Sequence, residues 1–346
     1  MNPAVLRLLN QQLASPESGK PEEAVAHLGA LQAQEYRLMR WAVGMRTRRP
    51  SASAFKRAYD EGRIVRLHLM RGTWQLVAAE DYRAFLGLCA PRARAVTEGW
   101  MHGNGIDISE EERRLVRRIM ARTAEKKGSA TKEDFAAALV EKGMGMDDHR
   151  LSYHIRMGEF SGVLCNGELR PMKATYALAE AKMAGAGRAV GRDEALARFA
   201  RKYFQSRQPA TMEDFVWWSG LGAGECRRGI EMLGGWLCRE RWGGREFFLT
   251  EDCRTRGFRR GRVLLVPPYD EYLIGYKSRE VALPPEHRHR AHNNSGIFRP
   301  IIVVDGVVCG NWIPFGRECG AEFFGEEGRE EDVRVAWEGY MRFWKR

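Results

Sequence analysis

The sequence predicts an α+β chain: helical units, each closed by a short two-stranded hairpin, followed by a β-rich end. Three observations lead there. The pattern A-T-x-E-D-F occurs twice, in "SATKEDFAAAL" at 129–139 and "PATMEDFVWWSGL" at 209–221, and a recurring pattern marks a recurring structural unit. Both copies are flanked by helical periodicity and followed by strand-like runs. From about residue 256 the chain changes character, and β-branched and aromatic runs alternate with Pro and Gly.

The elements follow in order. Residues 21–31, 36–46 and 51–61 read as helices, and "RIVRLHLMRGTWQLVAAEDY" as two strands around Arg71-Gly72. In "EEERRLVRRIMARTAEKK", Leu115, Val116, Ile119 and Met120 share one helical face. Thr131 and Thr211 are N-cap residues, and the acids two and three positions later suit a first helical turn. "DDHRLSYHIRMGEF" places Leu151 and Ile155 inward, with Arg150, Tyr153 and Arg156 outward. Hairpins are expected at Asn166-Gly167, at Gly243-Gly244 and at Asp305-Gly306. A closing helix sets Val333, Trp337 and Met341 on one face. Three helices and a two-stranded wing make the winged-helix form of helix-turn-helix. The expectation is therefore three tandem winged-helix modules, 1–95, 96–185 and 186–255, followed by a C-terminal antiparallel β-barrel-like domain, 256–346.

Composition bounds the function. Of 346 residues, 44% are hydrophobic and 29% charged, a globular balance. The N-terminus lacks the basic start and sustained apolar core of a secretory signal, and no apolar run is long enough to span a bilayer. A cytoplasmic chain is expected. Seven cysteines stand singly, without a C-x-x-C pair, which argues for reduced thiols and against a structural zinc site. The formal charge of +11 makes a polyanion the natural partner, although a merely solvated basic surface would give the same number.

On a winged helix, Arg66, Arg71 and Trp74 of the first wing, Arg156 of the second module, and Arg227 with Arg228 of the third stand where nucleic acid is met. The alternative is that they are surface cations packed against other modules. His287, His289 and His292 invite a metal hypothesis, but no Cys or acidic ligand accompanies them, and a basic loop near phosphate is preferred. No metal and no organic cofactor is expected. Asp270 and Glu271 are read as adjacent acids on a strand, facing opposite sides; a structural hydrogen bond or salt bridge is preferred, with a pocket-facing acid as the alternative. There is no nucleophile elbow, P-loop or dinucleotide fingerprint. Gln32 and Gln34, separated by Ala33, would diverge by about 200° on a helix but share a side of an extended segment. Taken alone they suit backbone capping or solvent contact.

Together, "LGALQAQEYRLMRWAVGMR", "LHLMRGTWQLVAAEDY", "PATMEDFVWWSGL", "LLVPPYDEYLIGYKSR" and "SGIFRPIIVVDGVVCGNW" resemble the AlkZ-type winged-helix DNA glycosylases, in order and over nearly the whole chain. The resemblance implies tandem winged helices and a C-terminal β-barrel around a basic channel for duplex DNA. It also implies excision of N7-alkylated purines and, in some members, unhooking of interstrand crosslinks. That family's motif is Gln, an apolar residue, then Gln or Asp. Gln32, Ala33 and Gln34 match its Gln-ending form, with a small middle residue, and the resemblance makes the two glutamines catalytic. Glu35 falls one position too late for the motif carboxylate and is expected to face solvent or cap the next helix. The wing and the loop at 287–299, including Arg299, would probe the DNA groove. The expected substrate is double-stranded DNA carrying alkylated purines, met by a monomer. A winged-helix transcriptional regulator, or a family member that only senses damage, is the competing expectation.

Overall fold

The computed structural model describes residues 2–183, 186–316, 318–325 and 329–346. They form two compact units, one from residues 1–55 with 196–346, the other from residues 56–195.

The first unit is tied together by buried ion pairs. Helix Pro3–Asn10 is capped by the Asn2 side chain, which accepts from the Ala4 amide, and is buried from Ala4 to Asn10. Its Arg7, 1% exposed, donates Nε to the Pro209 carbonyl, lies over the Tyr276 ring and faces Asp214 at 3.7 Å. After helices Pro21–Leu28 and Met39–Gly44, Arg46 makes a two-pronged contact with Asp270, both N–O distances being 2.8 Å. A fork of this kind matches guanidinium to carboxylate and holds both in register. Buried charges of this sort are tolerated only when paired and fully hydrogen-bonded. The pairing therefore joins residues 1–55 to residues 196–346, far away in sequence.

The expected strand around Asp270 is a correction. Strand Val263–Val266 ends at Pro267-Pro268, Tyr269 adopts φ 58°, and Asp270 becomes the N-cap of the short helix Glu271–Ile274. The C-terminal sheet is likewise open. Its antiparallel strands Gly320–Phe323, Val307–Ile313, Ile301–Val304 and Val263–Val266 lie in that order, and no sheet among the described residues closes into a barrel. Closure needs the two edge strands to pair. Here the sheet's apolar side chains are covered by other elements: Trp312 meets Trp337 and Tyr340 of the closing helix Glu330–Lys345. The indoles of Trp41 and Trp312 donate to the carbonyls of Leu265 and Val266 in an edge strand. The Asp305-Gly306 turn forms as expected, with φ 50° and 88°.

Most of helix Arg192–Arg207 also belongs to this unit, with helices Met212–Ser219 and Ala223–Leu233 and the hairpin 237–250. Thr211 and Asp214 exchange hydrogen bonds in a capping box. Gly243 and Gly244 form the expected two-residue turn, both in the left-handed region at φ 56° and 76°.

The second unit takes in the later part of helix Ala52–Asp60 and then the antiparallel pair Ile64–His68 and Trp74–Ala78, whose turn carries Arg71 and Gly72 at φ 54° and 67°. Helix Ala79–Gly103 follows and runs through residue 95. Next come helix Glu110–Lys127, a second capping box between Thr131 and Asp134, and helix Asp148–Phe160. The core gathers Val116, Met120, Phe135, Leu139, Leu151 and Ile155, with Ile119 partly buried against it, whereas Leu115, expected on the same helical face, is 40% exposed. Two expectations are corrected. Strand Leu164–Asn166 pairs with Thr175–Leu178 across a long loop, not through a tight Asn166-Gly167 turn. The Asn166 side chain is spent elsewhere, accepting from the Arg66 amide and donating to the Gly167 carbonyl. Tyr153 is also not on the outer face but buried, at 3% exposure. The compact units thus do not follow the four consecutive stretches read from sequence, because residues 1–55 pack with the C-terminal half. No helix among the described residues is long and apolar enough to cross a membrane.

Candidate active site

Gln32 ends the two-residue strand Leu31–Gln32, which helix Pro21–Leu28 feeds through Gly29 at φ 73°, and Ala33 and Gln34 follow it outside regular secondary structure. The backbone of this stretch is held from both sides by one ion pair. The Arg207 guanidinium, fully buried, donates to the Leu28 and Ala30 carbonyls, each at 2.7 Å. The same Arg207 donates through Nε and Nη2 to Glu271 Oε2, at 3.0 and 2.7 Å, and lies over the Trp218 ring. Glu271 Oε2 also accepts from the Trp218 indole at 2.9 Å, leaving Oε1 to accept from the Gln32 backbone amide at 2.9 Å. Glu271 is 1% exposed. Its negative charge is thus consumed by four N–H donors, one of which fixes the motif. Hydrogen bonds to ionised groups are about twice as strong as neutral ones, so this clamp is stiff.

The two glutamines differ in setting. Gln32 is buried at 6% exposure, Ala33 is buried beneath the segment, and Gln34 is exposed. Ala33 leaves no bulk to bury beyond a methyl. The Glu35 carboxylate accepts from the Arg37 amide at the approach to helix Met39–Gly44, a local turn cap. Two cations follow on this stretch. Arg37 lies over the Phe315 ring and Arg40 over the Trp344 ring. Burial lowers the Arg40 pKa from its usual value. Beside the segment, His27 donates Nε2–H to the Asn10 carbonyl at 2.7 Å. Burial, reinforced by Arg207, Lys202 and Arg254, lowers its pKa to about 4, so the imidazole is neutral.

The other expected residues scatter between the two units. In residues 56–195, Arg66 is buried with its guanidinium over the Trp74 ring, so it supports the hairpin and does not face outward. Trp74 is half-buried and stacks obliquely on His68, which is paired with the buried Glu159. Arg71 and Arg156 are half-buried and line one cleft. In the other unit, Arg227 and Arg228 are exposed on helix Ala223–Leu233, and Arg299 is exposed. The three histidines do not converge: His287 packs on Phe324, His292 is buried against Phe298, and His289 is exposed.

Arg207, Trp218 and Glu271 escaped the reading of the sequence as a unit. The signal was partial: "PPYDEYLIGY" sets two acids in an apolar run, which demands cationic partners, but not which ones.

A family model described as DNA glycosylase AlkZ-like matches residues 25–321. A curated relative from Streptomyces sahachiroi, named "Interstrand DNA cross-link repair glycosylase", is 25% identical over 88% of this chain and 85% of its own length. A solved structure titled Streptomyces sahachiroi DNA glycosylase AlkZ aligns with a TM-score of 0.79, covering 99% of this chain and 95% of that one at 23% identity. The matched residues 25–321 include parts of both compact units and the Gln32–Gln34 stretch. The chain belongs to the AlkZ-like DNA glycosylases.

Proposed function

We propose that this glycosylase hydrolyses the N-glycosidic bond of N7-alkylated purines in duplex DNA, and that it unhooks interstrand crosslinks formed through such purines. One observation carries the reading: the Gln32 backbone is pinned by the Arg207–Glu271 pair at the end of strand Leu31–Gln32, and Gln34 is exposed two residues on. A group positioned this way loses little freedom when the substrate arrives.

An N7-alkylated guanine is already cationic, so its departure needs no strong acid. What remains is to place a water beneath C1′ and to stabilise the oxocarbenium-like state as the C1′–N9 pair leaves with the base. A carboxamide oxygen accepts from that water, while the NH2 group donates to the sugar–phosphate. A glutamine cannot take up the proton as a carboxylate would. The proton of the attacking water passes to solvent, and the enzyme is confined to labile, charged leaving groups. A crosslinked base is tethered to both strands, which disfavours full extrusion. The exposed Arg227, Arg228 and Arg299, and the half-buried Arg71 and Arg156, then contact phosphate and position the duplex. Arg66 and Trp74 brace the hairpin. A monomer suffices for this chemistry.

The test uses duplexes carrying 7-methylguanine or a nitrogen-mustard crosslink, with abasic sites revealed by alkali. Wild type yields abasic product, and Gln32→Ala and Gln34→Ala each slow it by roughly 10²-fold. Sequence-specific binding without abasic product would overturn the proposal in favour of a regulator.

A further inference from the structure

A cleft in residues 56–195, about 360 Å³ in volume, lies between the hairpin turn 70–72, helix Ala79–Gly103 and helix Asp148–Phe160. Its composition is unusual for a surface dent. Trp100 and Val96, one helical turn apart, are 58% and 61% exposed, whereas large apolar side chains of a helix normally turn inward. Arg71 and Arg156 bring two guanidinium groups to the same wall, and no carboxylate lines the cleft among the described residues. The Ser152 hydroxyl, also on the wall, accepts from Lys132 Nζ at 2.6 Å, an ammonium that is itself paired with Asp148 at 2.5 Å.

Tyr153 supplies an independent sign of a ligand. It lines the cleft, is 3% exposed, and its buried hydroxyl finds no hydrogen-bond partner among the described residues. The Arg156 Nε is in the same condition. A buried hydroxyl without a partner costs free energy, and native chains seldom keep one unless something else satisfies it. Cations, a bare indole face and an unsatisfied hydroxyl together match the parts of a nucleotide: a phosphodiester, a base to stack and a polar base edge.

We propose that this cleft seats one unpaired nucleotide of the bound DNA, its base stacked on Trp100 and its phosphate between Arg71 and Arg156, with the Tyr153 hydroxyl bonded to the nucleotide. The proposal rests on DNA being the substrate, but it does not depend on excision. It gives the protein an affinity for duplexes that already contain an unpaired position, which is the state of the partner strand wherever a base has been removed.

The experiment measures binding of fluorescein-labelled, undamaged DNA by anisotropy, comparing a blunt duplex with the same duplex carrying a single-nucleotide bulge. Wild type binds the bulged duplex more tightly. Trp100→Ala, an exposed change that spares the core, weakens bulge binding about 10-fold and alters blunt-duplex binding by less than about 2-fold. Trp100→Phe keeps most of the preference. Arg156→Gln weakens both duplexes and lowers the slope of log affinity against log salt by about 1. Tyr153→Phe loses several-fold in bulge affinity without losing thermal stability, since the hydroxyl it removes has no partner among the described residues. Unchanged bulge preference in Trp100→Ala, or an equal loss on both duplexes, would overturn the proposal. Because the DNA carries no lesion, a protein that discriminates the bulge yet releases no alkylated base would sink the excision reading and leave this one standing.

Discussion

Replacing Glu271 by Gln removes one charge from the clamp and swaps an acceptor for a donor. In the wild-type arrangement Oε2 accepts from Arg207 Nε, Arg207 Nη2 and the Trp218 indole, and Oε1 from the Gln32 amide. A carboxamide offers one oxygen. If that oxygen faces Arg207 and Trp218, its NH2 group meets the Gln32 N–H, donor against donor; the other rotamer sets NH2 against three donors. The first is the cheaper, so the variant keeps part of the Arg207 contact and releases Gln32. Two costs follow. Arg207, wholly buried, loses its counter-ion, which destabilises the fold by about 3–5 kcal/mol. Gln32 is no longer held, and displacement on the order of 1 Å lowers kcat by roughly 10²-fold. Urea denaturation measures the first cost. Single-turnover release of 7-methylguanine, at a temperature where circular dichroism shows the variant folded, measures the second. The positioning role has a signature that simple destabilisation lacks: adding Gln32→Ala to Glu271→Gln costs far less than it does in wild type, whereas DNA affinity stays level. A Glu271→Gln protein with wild-type stability and excision rate would refute the clamp. So would strict additivity with Gln32→Ala.

Three further outcomes are expected. Gly44→Ala would place a Cβ 2.7 Å from the Phe343 ring of the closing helix and cost about 1–3 kcal/mol, whereas Gly243→Ala has open space and pays only for its positive φ, about 1 kcal/mol; thermal melts rank the two. Thr211→Ala removes the side-chain acceptor of the Asp214 amide in its capping box and lowers stability by about 1 kcal/mol, read from the urea midpoint at constant slope. His27 is held neutral in the fold, with a pKa of about 4 against an ordinary value of 6.5, so between these limits the unfolded chain binds the extra proton. Its contribution to stability is therefore complete above pH 6.5 and lost as pH falls toward 4; His27→Gln should flatten the fall of the urea midpoint across that window, and an unchanged slope would contradict the assignment.

The legible part of the fold was whatever short-range chemistry dictates. Thr131 and Thr211 cap their helices because a hydroxyl three residues before an acid satisfies free amides locally, wherever the helix is placed. Gly243-Gly244 and Asp305-Gly306 turn because those residues accept positive φ at small cost. Asn166-Gly167 carries the same signal and does not turn tightly, since the Asn166 side chain is drawn to the Arg66 backbone, a hundred residues away. The motif was legible as residue types: Gln32 closes a two-residue strand, yet Gln32 is buried and Gln34 exposed. Alternation along a strand cannot foresee which side another element covers.

Read alone, the chain disclosed the capped helices, the turns at Gly243-Gly244 and Asp305-Gly306, the basic character, and the family to which the motifs point. Long-range packing alone set residues 1–55 with the C-terminal half, left the final sheet open, and brought Glu271 and Arg207 to grip the Gln32 backbone and its neighbours. The reason is physical. Caps and turns are settled within a few residues by backbone geometry, whereas a buried charge specifies only that a partner must exist, and its identity is set when distant segments are desolvated together.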